Sequence, residues 1–98
     1  MDVHYTQHGV PFVWDSEKAR TNLVKHGIGF EVACEAFFDP FLRLVDAGAR
    51  EEERLAFLGM TERAHLLFVV YAEREGEVYR IISAREATRP ERREYEEF

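Results

Sequence analysis

Between residues 80 and 92 an apolar run, Ile81-Ile82-Ser83-Ala84, is bracketed by Arg80, Arg85, Arg89 and Arg92 as it hands over to a charged segment. Arginine presents a planar, permanently charged fork that matches phosphate or carboxylate, and a helix N-terminus adds unpaired N–H groups, so the stretch suits an anion site. The competing reading is a solvated helix start laced with Arg–Glu pairs. A second kind of chemistry is offered by Lys25-His26-Gly27. Imidazole is the side chain best suited to move protons near neutral pH, and a neighbouring lysine can balance phosphate charge. Adjacent helical residues diverge by about 100°, so the two need not share a pocket; a helix-end histidine can equally cap a carbonyl.

Regular strand alternation puts Arg80 on one face with Val78 and Ile82, and Ser83 and Arg85 on the other with Ile81. Arg80 is then a phosphate-clamp candidate if its face lines the cleft, while Ser83 and Arg85 either bind the anion or pin the last helix. Arg63 in a hairpin turn, and Arg54 beside Glu53 at a strand start, can reach a cleft rim or form strand-end ion pairs. His4, His8 and His65 have no motif around them and read as structural or solvated.

These residues need elements to hold them. Strands at 3–7 and 10–14 flank a His8-Gly9 turn, and Pro11 places the second strand at a sheet edge or at its own first ladder position. Asp15 is the expected N-cap of a helix with an Ala19/Leu23/Val24 stripe that stops at Gly27. A second helix is expected over 31–38, ended by Asp39-Pro40, with a tight Gly27-Ile28-Gly29 corner between the two. A strand at 41–45 and an exposed acidic loop over 46–53 follow. Three strands at 54–59, 65–73 and 77–84 then form an antiparallel meander with the most apolar one central. Thr88 and Glu91 make a capping box for a final helix whose apolar content is mainly Tyr95 and Phe98. The expectation is one α+β domain over 1–98, with an antiparallel sheet of about four to six strands, two helices in the N-terminal half and one at the C-terminus.

Composition narrows the function. With 98 residues, 46% hydrophobic and 33% charged, the chain is a globular domain large enough for one core. The apolar run 66–72 is too short to span a membrane, and the N-terminus lacks a signal-peptide order, so a cytoplasmic location is expected. Cys34 is the single cysteine, which excludes an internal disulfide and a cysteine-based metal cluster. Its surroundings suit a small buried hydrophobe rather than a nucleophile. A net charge of −6 argues against a broad nucleic-acid surface, so any phosphate site is local, and it favours a basic protein partner.

Several linked motifs then carry a resemblance. Phe12-Val13-Trp14-Asp15, Lys18-Ala19, Asn22-Leu23-Val24-Lys25-His26-Gly27, Phe30-Glu31 with Ala33, and Phe38-Asp39-Pro40 resemble the BrnT family of bacterial toxins. In the second half, Glu53-Arg54, Leu58-Gly59, Val69-Val70-Tyr71, 80–85 with Ala87-Thr88, and Glu91-Arg92 with Tyr95 agree in order and rough spacing. The resemblance covers about residues 10–98. It departs at Gly29, where many members have a capping serine, and in the extension 1–9. It implies a RelE/ParE-like fold and metal-independent RNA cleavage that halts translation. It also implies neutralisation by a BrnA-like ribbon-helix-helix antitoxin, with DNA contacted only through that antitoxin and no cofactor.

Such cleavage needs a group to take the 2′-hydroxyl proton, charge to stabilise the phosphate, and a donor for the leaving oxygen. The catalytic candidates are His26, Lys25, Arg80 and Arg85, with Arg63, Glu53, Tyr71 and Ser83 as secondary ones. Tyr71 can stack on a base or serve as a core tyrosine. The alternative function is a non-catalytic module that binds a DNA-binding antitoxin and co-regulates transcription. A metal-dependent nuclease is disfavoured because no HxH, HExxH or clustered aspartate motif occurs.

Overall fold

The computed structural model describes residues 1–48 and 53–97. Half of the acidic loop expected over 46–53, residues 49–52, and the final Phe98 lie outside the described residues. The order is β1 (Asp2–Gln7), β2 (Val10–Asp15), α1 (Ser16–His26), α2 (Phe30–Ala36), β3 (Arg43–Val45), β4 (Leu55–Met60), β5 (Leu66–Arg74), β6 (Val78–Glu86) and α3 (Arg89–Glu96).

All six strands form one sheet, ordered β1-β2-β6-β5-β4-β3. The hairpin expected at His8-Gly9 is present, with both residues at positive φ, 49° and 78°; this is the backbone that a two-residue turn between twisted strands requires. The meander β4-β5-β6 is antiparallel with β5 in its middle. The sheet as a whole is mixed, however, and not purely antiparallel: β2 runs parallel to β6 through Phe12–Tyr79 and Val13–Arg80. The chain leaves β2, builds two helices and three strands, and returns beside β2 in the same direction. Hairpin lengths reveal only neighbouring strands, so this pairing of distant segments is not written in them.

The two faces have separate cores. On one, Phe12, Trp14, Phe57, Leu67, Val69, Tyr71, Ile81 and Ala84 pack with Phe30, Ala33, Cys34 and Ala36 of α2. On the other, Ala56, Leu58, Leu66 and Phe68 lie beneath Tyr95 of α3. Burial pushes the Cys34 thiol up to about 12, which fits an inert hydrophobe. α2 passes close to β4: a Cβ at Gly59 would sit 2.4 Å from the Ala36 carbonyl oxygen and 3.1 Å from its carbon. Because the obstacle is backbone, Gly59→Ala is expected to destabilise the protein by roughly 1–3 kcal/mol as α2 is pushed off the sheet. A urea unfolding midpoint equal to that of the parent would show that the contact is not limiting.

The expected caps are all in place. Asp15 accepts the Lys18 N–H at 3.0 Å, and Gly27 ends α1 with φ 71°. α2 starts from Gly29, without a side-chain cap, and is shorter than expected because Phe37 already closes it. At α3 the Thr88–Glu91 capping box is complete.

Candidate active site

Lys18, Thr21, Asn22 and Lys25 recur at i, i+3, i+4 and i+7, so they form one stripe along α1. That stripe lies against β6, where it and His26 meet Ile82 and Ser83 around a shallow cleft of about 310 Å³. Three residues singled out in the sequence, Lys25, His26 and Ser83, are therefore brought together. Although adjacent in sequence, Lys25 and His26 share the cleft. Lys25 is exposed, and His26 and Ser83 are half-buried.

Asn22 is what fixes this geometry. Its buried side-chain amide donates to the carbonyls of Ile28 and Ala84, each at 2.9 Å, and its oxygen accepts the Ala84 N–H at 3.1 Å. β2 pairs with β6 only as far as Val13 and Arg80. Further along β6, the Asn22 amide occupies the donor and acceptor of Ala84 that a strand would otherwise meet. It thereby ties the C-terminal half of α1 to the strand that carries Ser83.

A register shift refines the face assignment on β6. Ile81 pairs with Tyr71 but Ser83 pairs with Val70, leaving Ile82 unopposed as a bulge. Regular alternation would put Arg80 opposite in direction to Ser83 and Arg85. The extra residue cancels that alternation, so Arg80, Ser83 and Arg85 oppose Ala72, Val70 and Phe68 and share the face beneath α3.

The remaining candidates lie elsewhere. Arg80 donates to the Asp2 carboxylate at 2.8 Å, and this bond chiefly holds Asp2 below the usual carboxylate range. Arg85 grips Glu91 with two bonds, 2.8 and 2.9 Å, and its guanidinium carbon stands 4.3 Å from the centre of the Phe68 ring. The pairing raises Arg85 and lowers Glu91, each mainly through the other's hydrogen bond. Arg85 thus fastens β6 to α3. Tyr71 is buried in the main core, where desolvation raises its phenol. Glu53 lies 3.8 Å from Arg74. Arg63 lines a different hollow, beside Gly27 and Ile28.

Lys18 and Thr21 line the cleft yet were not among the sequence candidates; their spacing from Lys25 is the signal that finds them. Beside the Glu17 carboxylate, two lysines, an imidazole and two hydroxyls can hold a phosphate and move a proton. Among the described residues no group of three or more His, Cys, Asp or Glu is placed to hold a metal ion, and no helix is long and apolar enough to cross a membrane.

Comparison with known proteins places this architecture. The crystal structure of the Brucella abortus ribonuclease toxin BrnT superposes with a TM-score of 0.62 at 23% identity, covering 78% of this chain and 94% of that one; at this identity the likeness speaks for the fold. A search of curated proteins gave no match. The sequence profile of the ribonuclease toxin BrnT of type II toxin–antitoxin systems matches residues 14–91, a span that takes in α1, β6 and the cleft between them. By that match over most of its length, the chain belongs to the BrnT ribonuclease toxin family.

Proposed function

We propose that this protein is a cytoplasmic endoribonuclease that cuts RNA without a metal ion and so halts translation, and that a BrnA-like ribbon-helix-helix antitoxin silences it. The observation that carries the residue-level reading is the convergence of Lys18, Lys25, His26 and Ser83 on one cleft. His26 takes the proton of the 2′-hydroxyl as its oxygen bonds to phosphorus, and water in the open cleft protonates the 5′-oxygen as its P–O bond breaks, leaving a 2′,3′-cyclic phosphate. Lys25 and Lys18 balance the charge that builds on the phosphoryl oxygens, and the Ser83 hydroxyl donates to one of them. Arg85 acts as a positioning residue through Glu91.

Arg80 is proposed as the next phosphate contact along β6, since the bulge turns it to the same face as Ser83. In the free protein its fork is occupied by Asp2, which lies outside the segment matched by the family. The pair is at the surface and weakly held, so a phosphate can displace it. Asp2→Asn is therefore expected to tighten RNA binding severalfold, with the gain shrinking as salt rises. Unchanged affinity at low salt would remove Arg80 from the RNA path.

Two assays test the reading together: growth on induction of the chain alone, and cleavage of RNA by the purified protein in excess chelator. The expected result is growth arrest and cleavage that survives chelation. Loss of cleavage in chelator would overturn metal independence. Normal growth with no cleavage, alongside tight binding to the antitoxin, would identify a non-catalytic partner-binding module instead.

A further inference from the structure

On the other side of the Lys25–Ile28 corner opens a hollow of about 590 Å³, within the size range of small-ligand sites. Ile28 and Val32 give it apolar surface, and Glu35, Arg63 and His65 supply polar groups. Two of these are held in place. Glu35 accepts the Glu62 N–H on Oε1 at 2.6 Å, and His65 Nδ1 lies 3.2 Å from Glu86 Oε1. The Glu35 carboxylate is therefore oriented, with one lone pair of Oε1 and both of Oε2 left to accept from a ligand.

We infer that this hollow is a nucleobase subsite that favours guanine, taking the base adjacent to the phosphate bound in the α1–β6 cleft; the inference rests on the RNA-cleaving reading above. His26 lines the cleft and Gly27 lines the hollow, so a single strand passing this corner sets its phosphate on one side and a base on the other. Unstacked RNA bases are bound by apolar and planar side chains, and Ile28, Val32, the Arg63 guanidinium and the His65 ring are of those kinds. The choice of base follows from Glu35. Guanine alone presents two neighbouring donors, N1–H and the N2 amine, on its Watson–Crick edge, matching the two oxygens of a carboxylate. Adenine, cytosine and uracil each set an acceptor beside their donor there, which a carboxylate repels.

The test is a titration of the whole protein, labelled at its isoleucine and valine methyl groups, with GMP, AMP, CMP and UMP. GMP is expected to shift the Ile28 and Val32 signals and to bind about tenfold more tightly than the other three. Glu35→Gln can keep the acceptor for the Glu62 N–H but sets an amide donor where guanine needs an acceptor; the four nucleotides should then bind within about twofold of one another. Equal binding of all four by the parent, shifts confined to the Lys25–His26 cleft, or a guanine preference that survives Glu35→Gln would each overturn the subsite. Because the titration reads binding without turnover, its failure is separable from failure of the catalytic reading. Protein that selects GMP here but cleaves no RNA keeps the subsite and loses the ribonuclease, and RNA cleavage without GMP selection does the reverse.

Discussion

His26→Ala is expected to lower the turnover of RNA by roughly 10²–10⁴-fold, the range typical of removing a positioned acid–base group. The fold should survive, because α1 is ended by Gly27 in the left-handed conformation and anchored by Asn22, neither of which needs the imidazole. Lys25→Ala supplies the contrast. Lys25 is fully on the surface of the cleft, so its loss should act mainly through phosphate binding, raising KM and flattening the salt dependence of binding. The pair of variants therefore separates proton transfer from charge: a turnover defect for His26→Ala, a binding defect for Lys25→Ala. Parent-like turnover in His26→Ala, with an unchanged unfolding curve, would move the chemistry out of this cleft.

How much of this was readable in advance depended on the distance over which each feature acts. The caps at Asp15, Gly27 and Thr88–Glu91 are contained within a few residues, and each appeared where the sequence placed it. So did the His8-Gly9 turn, whose two positive φ angles follow from local chemistry. Part of the cleft's lining was also legible, since Lys25, His26 and Ser83 could be named from their neighbours and meet at one cleft. What was not legible joins distant parts of the chain. The parallel contact of Phe12 and Val13 with Tyr79 and Arg80 depends on the path of everything between them. The bulge at Ile82 is set by how β6 fits β5, and it alone decides that Arg80 and Ser83 face the same way. The Arg63–Glu35 hollow is equally silent in sequence, because it exists only where the β4–β5 turn meets α2.

The hardest feature to foresee, Asn22, also predicts the largest loss of stability. It joins residues 62 apart in sequence, and its three hydrogen bonds serve the carbonyls of Ile28 and Ala84 and the Ala84 N–H. Ala84 is fully buried, so water cannot replace a partner there without opening the edge of the sheet. Asn22→Leu keeps the number of side-chain heavy atoms and the branch at Cγ, though its methyl groups are bulkier, while removing every one of these bonds. Each buried group left unpaired costs about 1–3 kcal/mol, so a loss of roughly 3 kcal/mol or more is expected. Against a typical total stability of about 5–15 kcal/mol, that is a large fraction. Asn22→Asp should be no milder despite its likeness to asparagine. It retains an acceptor for the Ala84 N–H, but sets a carboxylate oxygen against two carbonyls that need a donor, in a site too buried to solvate charge. Leu23→Ala, next along the helix but 53% exposed, serves as the control and should change stability by no more than about 0.5 kcal/mol. Urea unfolding followed by circular dichroism distinguishes these cases. If Asn22→Leu unfolds at the same denaturant concentration as Leu23→Ala, α1 is held to β6 by packing alone, and the amide does not position the cleft.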